Sequence, residues 1–237
     1  MTVLSARIKH RLVDLIGVIA LVDMAARTVL LDVEEVVPHG ADIGELLYDL
    51  SLAYVGAWIF NHLVVVRPRR ESLRRIYEVE RRNLDAIAGS GDAVIGLLAR
   101  AAGMPASDEV PTLEQVRAMC SAIPANGEDG ERLIRWGPPH DYATWLQSLH
   151  ALSRRALGYH DRVVGAYGLM DVPLVALLRA AAESSFHQQV AFAEAAPLQA
   201  NASLGHLAEP IYQYWWHCQS VRIFLRESVD PLLGLSV

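Results

Sequence analysis

Two stretches of this chain are apolar almost without interruption. Residues 12–31 read LVDLIGVIALVDMAARTVLL, and residues 46–66 read LLYDLSLAYVGAWIFNHLVVV. Each matches the ~20 residues an α-helix needs to cross a hydrocarbon core of ~30 Å. The second is the more uniform. Asp49 and His62 lie toward its two ends, and Ser51, Ala53, Gly56 and Ala57 are small enough for a neighbouring helix to approach closely. The first carries Asp14, Asp23 and Arg27. Asp23 and Arg27 are spaced i, i+4, so in a helix they share a face and can pair, which offsets the cost of charge within a bilayer.

Beyond residue 70 the pattern becomes periodic. Leu73, Ile76, Tyr77, Leu84 and Ile87 predict a helix over 70–88, with Gly89-Ser90-Gly91 as its end. A short helix over about 92–102 stops at Gly103 and Pro105. The Pro-, Gly- and Asp-rich stretches 103–111 and 124–131 read as linkers. Between them, Thr112 and Gln115 form a capping box that starts a short helix. Gly137-Pro138-Pro139 is a break, with Asp141 as the cap of the helix after it.

Three long helices complete the pattern. The first carries Trp145, Leu149, Leu152, Ala156, Tyr159 and Val163. Asp171 caps the second, with Pro173 in its first turn and Leu174, Leu177, Leu178 and Ala181 as its stripe. The last runs from about Leu204 to Arg226, with Pro210 as a candidate kink. No stretch reads as a strand. The fold class expected is all-α: an N-terminal transmembrane helical hairpin (1–69) followed by a cytoplasmic helical bundle (70–237).

Charge sets the orientation. Arg7, Lys9 and Arg11 precede the first apolar stretch, and Arg67, Arg69, Arg70, Arg74 and Arg75 follow the second. The segment between holds Asp32, Glu34, Glu35, Asp42 and Glu45 without a Lys or Arg. Basic flanks stay in the cytoplasm, so both termini are expected inside and the acidic loop outside, in a multi-pass protein of a bacterial inner membrane. The five arginines would meet lipid headgroups. A cleaved signal peptide, with Ala25-Ala26 as the small-residue site, is opposed by Asp23 within the apolar stretch. A buried hairpin in a soluble protein is the other alternative.

Composition agrees. Of 237 residues, 52% are hydrophobic and the net charge is −6; the first 66 residues carry −4 of it. The nearly neutral remainder gives no electrostatic case for nucleic acid. Cys120 and Cys218 are far apart, form no CxxC and read as buried structural residues.

The run VGAWIFNHLVVVRPRRESLRR resembles a family of uncharacterised bacterial two-span membrane proteins. The shared features are Ile59-Phe60, Val64-Val65-Val66, and Pro68 among Arg67, Arg69 and Arg70. A weaker similarity continues in LMDVPLVALLRAAAESSFHQ from Leu169. Asn61-His62 depart from the pattern, where aromatic residues are usual, and the first apolar stretch is more polar than the family's. The resemblance implies a two-helix anchor with a cytoplasmic helical domain, and no activity.

Reactive residues are scattered. His140-Asp141 and His160-Asp161 are the two His-Asp dipeptides; with His150 and Asp171 they could build a metal-dependent phosphohydrolase site if His140, His150, His160 and Asp161 converged. Packing and capping roles explain them more simply, so no metal or cofactor is expected. His206 and His217 are eleven residues apart, too far to share an ion. Tyr212, Tyr214, Trp215 and Trp216 read as core with one side toward a partner. Gly89, Gly91 and Gly96 lack the strand and Lys-Ser/Thr of a phosphate loop, and Ser184-Ser185 lacks the glycines of a nucleophile elbow. The function expected is a membrane-tethered module that binds a cytosolic protein or self-associates. The alternatives are the hydrolase, and an oligomeric channel or transporter using Asp23 and Arg27.

Overall fold

The computed structural model describes residues 16–22, 25, 40–105, 110–135, 141–195 and 202–235. The chain is mostly helical and belongs to the all-α class. It divides into two units, Met1–Ser72 and Leu73–Val237. Asp23, Arg27, His140, the N-terminal basic residues, Asp32, Glu34, Glu35 and Gly137-Pro138-Pro139 lie outside the described residues.

In the first unit residues 16–22 are helical, and α1 spans Gly40–Asn61. The two pieces meet where small residues allow it. A side chain at Gly17 would touch the Trp58 indole at 3.6 Å, and Ala20 and Val55 are buried. The large apolar side chains have no such cover. Leu46, Leu50, Phe60 and Val64 are all exposed, Leu50 at 67%. A π-helical turn, His62–Val66, leads into α2, Arg67–Ala101. Among the described residues one helix, Glu45–Ala101, is long and apolar enough to cross a membrane, and 6% of that apolar stretch is buried. The first apolar stretch is described only at 16–22 and Ala25, so the structure supplies one candidate span where the sequence predicts two.

In the second unit α2 does not end at Gly89-Ser90-Gly91. It continues for ten residues beyond them, because its glycines serve packing. A Cβ at Gly91 would lie 3.0 Å from Cys218 Cβ and 3.1 Å from Trp215 Cα, tighter than ordinary contact, so glycine eases the approach of the neighbouring helix there. Tertiary packing overrides the poor helix propensity of glycine. The helix stops at Gly103 (φ +67°), where Met104 N–H reaches Ala99 O and Gly103 N–H reaches Arg100 O, a Schellman ending.

The capping box starts α3, Leu113–Ala122, as the sequence predicts: Thr112 Oγ1 accepts from Gln115 N–H, and Gln115 Oε1 accepts from Thr112 N–H. The expectation of no strand is overturned next. β1 (Glu128–Arg135) and β2 (Asp141–Thr144) form an antiparallel pair with Glu128 opposite Thr144 and Arg135 opposite Asp141. The sequence EDGERLIR is charged and contains glycine, so it carries none of the β-branched alternation that marks a strand. Asp141 therefore lies in a strand and not at the N-cap position of the helix. The cap of α4, Trp145–Val163, is Thr144, paired with Gln147 in a second capping box.

A 3₁₀ turn, Val164–Leu169, joins α4 to α5, Val172–Ala182. Asp171 occupies the N-cap position, but its carboxylate accepts the Tyr77 hydroxyl proton at 3.0 Å and makes no capping bond. α5 ends at Ala182, and α6, Ser185–Ala195, is a separate helix. The last helical run opens as a 3₁₀ turn, Leu204–Leu207. It continues as α7, Ala208–Phe224, widens in a π turn at Leu225–Val229 and ends as α8, Asp230–Leu233. Pro210 falls in the first turn of α7, where no intrahelical N–H is required, so it starts the helix without kinking it.

Two apolar clusters fill this unit. One gathers Val94, Leu98, Cys120, Leu149, Phe186 and Ile211; the other gathers Tyr77, Leu84, Val163, Leu174, Val221 and Leu225. α2 and α7 contribute to both and run antiparallel. Asp92 on α2 accepts from Trp215 Nε1 (2.9 Å), Gln219 Nε2 (2.7 Å) and Arg222 (2.5 Å), while Arg81 pairs with Asp230.

Two substitutions two residues apart, on different sides of the helix, test this reading. Gly91→Ala should cost about 1–3 kcal/mol, because the added methyl meets backbone. Gly89→Ala meets nothing within 4 Å and should be neutral or add about 0.5–1 kcal/mol. Denaturant titration of both variants beside the parent chain checks the contrast, and equal effects would contradict the packing described.

Candidate functional site

Among the described residues, those singled out by sequence are not brought together. His150 and His160 both lie on α4, ten residues and so roughly 15 Å apart along the helix. His150 Nδ1 pairs with Glu194 of α6 at 2.7 Å. His160 is buried while its neighbour Asp161 is exposed. Asp171 is occupied by Tyr77. Among the described residues no group of three or more His, Cys, Asp or Glu side chains could hold a metal ion. His206 is exposed and His217 half-buried, on different helical segments.

The structure instead assembles a buried polar cluster that sequence reasoning missed. Ser153 and His160 fall on the inward face of α4 at i and i+7, beside Leu149 and Ala156. Across from them on α6, His187 shares a 2.8 Å hydrogen bond with Ser153 through Nδ1. Its ring stands edge-on to Tyr214 at 4.8 Å. His187 Nε2 and both ring nitrogens of His160 have no hydrogen-bond partner. Burial holds the imidazole of His160 down to about 4, against a smaller opposing pull from Asp161. His187 is likewise held at about 4, by burial first and the nearby His160 second. Both rings are therefore neutral in the folded chain at neutral pH. A Ser–His pair suggests nucleophilic chemistry, but Ser153 is 2% exposed and cannot meet an external substrate. The cluster is a polar element of the core.

Two surface clefts are lined in part by charged side chains. One of about 280 Å³ lies between α2 and α4, lined by Ala86, Gly89, Ser90, Leu152, Arg155 and Tyr159. The Ser90 hydroxyl there already bonds Ile87 O and Tyr214. The other, of about 250 Å³, holds Arg81, Arg222 and Arg226, with the first two paired to aspartates. Both are smaller than ordinary ligand sites. The thiols of Cys120 and Cys218 are fully buried, and burial pushes Cys120 up to about 12 and Cys218 upward as well, so neither is a nucleophile.

What remains on the surface is basic and apolar. Arg67, Arg69, Arg70, Arg74 and Arg75 are all exposed on the first turns of α2; Arg67 pairs with Glu71 and Arg74 with Glu78, both i, i+4. Such exposed pairs contribute little to stability, which leaves the charge available to an external partner. No family model, curated protein or solved structure matches the chain.

The buried histidines generate a pH dependence. Their folded-state values lie below the unfolded value of about 6.5, so the unfolded chain takes up protons first as pH falls. Stability should be full above about pH 6.5 and decline toward pH 4 by roughly 1.4 kcal/mol per pH unit for each histidine. Denaturation midpoints followed from pH 7 to 5 read the slope. His160→Leu should about halve it, and an unchanged slope would show that His160 is not buried neutral.

Proposed function

We propose that the chain is a membrane-tethered helical interaction module. In this reading two N-terminal helices form a hairpin in a bacterial inner membrane, both termini are cytoplasmic, and Leu73–Val237 binds a cytosolic protein or a second copy. The observation that carries it is the junction at residue 66. An apolar stretch whose large side chains are exposed gives way at once to five exposed arginines. Soluble proteins rarely leave so many contiguous aliphatic side chains uncovered, and a basic flank marks the cytoplasmic side of a span. The packing of residues 16–22 on α1 at Gly17 and Trp58 supports the second helix of the hairpin. The resemblance to two-span membrane proteins belongs to the same reading.

A metal-dependent hydrolase would need donors that converge, and the described ones do not. A channel or transporter would rest on Asp23 and Arg27, and no described contact favours it.

Cysteine accessibility in intact cells tests the topology. Cys120 and Cys218 are replaced by alanine, and single cysteines are placed at Gly40 and at Val79, a fully surface position on α2. An impermeant maleimide should label Gly40→Cys in intact cells and Val79→Cys only after permeabilisation. Release of the protein from membranes by alkaline carbonate, or external labelling at Val79, would overturn the proposal.

A further inference from the structure

α2 and α4 lie antiparallel across the core. Val94 of α2 shares one apolar cluster with Leu149 of α4, and Leu84 shares the other with Val163. Between the two helices lies the cleft of about 280 Å³. Its α2 side is Ala86, Gly89 and Ala93, three or four residues apart and so on one face of the helix. None of these side chains extends past a Cβ, and a Cβ added at Gly89 would meet nothing within 4 Å. At Gly91 a missing side chain serves close packing; at Gly89 it leaves space. The α4 side is Leu152, Ala156 and Tyr159, with Arg155 beside them. Ser90 also lines the cleft, but Ile87 O and Tyr214 engage its hydroxyl. Floor and walls are therefore apolar.

The rim is basic. Arg155 is exposed, and the Arg162 guanidinium lies over the Tyr159 ring at 5.6 Å. Arg82 falls one turn before Ala86 on the same face of α2, and the antiparallel order places it toward the Arg162 end. Among the described residues no carboxylate forms an ion pair with any of the three. Asp85 pairs with Arg81, and Asp161 lies half a turn around α4 from Leu152. An apolar cleft with a few converging polar groups is the common form of a small-molecule site. Here the free polar groups are cations, which selects an acid. The volume falls just under the ~300–1,000 Å³ of sites for drug-sized ligands, which suits a single ring with a short acid group.

We propose that this cleft binds a small aromatic carboxylate, with its ring between Leu152 and Tyr159 over Gly89 and its carboxylate on Arg155. Arg82 and Arg162 add positive potential at the rim. Every residue involved lies within Leu73–Val237, so the inference stands apart from the membrane reading.

Fluorine NMR of the full chain, in one buffer and detergent throughout, tests it. The probe is 4-fluorobenzoate, and 4-fluorobenzyl alcohol is its uncharged counterpart. The acid signal should broaden saturably, and the alcohol should bind about tenfold more weakly. Gly89→Leu fills the cleft and raises helix propensity, so it should abolish the broadening. Arg155→Ala, at an exposed position, should weaken the acid about tenfold and leave the alcohol unchanged, and Arg155→Lys should restore part of the loss. Absence of saturable broadening in the parent chain overturns the site, as does broadening that survives Gly89→Leu. Equal binding of acid and alcohol, or an Arg155→Ala chain that binds the acid like the parent, overturns the carboxylate assignment. The arginine variants decide this even if Gly89→Leu fails to fold.

Discussion

The close approach of α2 and α7 organises the second unit. At Gly91 the two backbones are near enough that a methyl group would crowd Cys218 and Trp215, within 3.0–3.3 Å. Neighbouring bonds fix the register. Asp92 receives three donors spaced by about one turn along α7, Ser90 shares a hydrogen bond with Tyr214, and Arg222 donates to Ala88 O. Both apolar clusters are built on this pair, one on each side of the contact. α3, α4 and α6 cover one cluster; α5 and the 3₁₀ turn cover the other.

The polar groups inside the unit follow a consistent logic. Several bond across elements of the fold, as with Ser153 and His187, Ser148 and Asp129, Tyr77 and Asp171. A hydrogen bond between elements stabilises only when both elements are in register, so such pairs specify the arrangement more than they add energy. The histidines stand apart. Their unpartnered nitrogens oppose folding, and the aromatic packing of His187 against Phe186 and Tyr214 offsets part of that cost.

Local signals were legible in the sequence and distant ones were not. Thr112 and Gln115 read as a helix start because the capping box needs only four residues. Thr144 and Gln147 use the same chemistry, but the nearby prolines pulled the expected start to Asp141. The stripe Leu149, Ala156, Val163 was plain from its spacing. Ser153 and His160 interrupt that stripe as polar residues, and their burial depends on His187, 34 residues from Ser153. The helix through Gly89-Ser90-Gly91 was hidden for a related reason: glycine reads as a terminator unless the helix that packs on it, more than 120 residues later, is known. At the candidate site, the sequence offered no sign of where the buried histidines would lie.

The β1–β2 hairpin has a consequence for crowding. Each strand of a two-stranded sheet pairs on one side, so its other edge is a row of peptide groups able to recruit a further strand. Exposed edges of this kind are where unrelated chains stick to one another. The sequence EDGERLIR answers that hazard: five of its eight residues are charged, with both signs present. The same composition that concealed the strand from a reading of the sequence keeps it from templating aggregation.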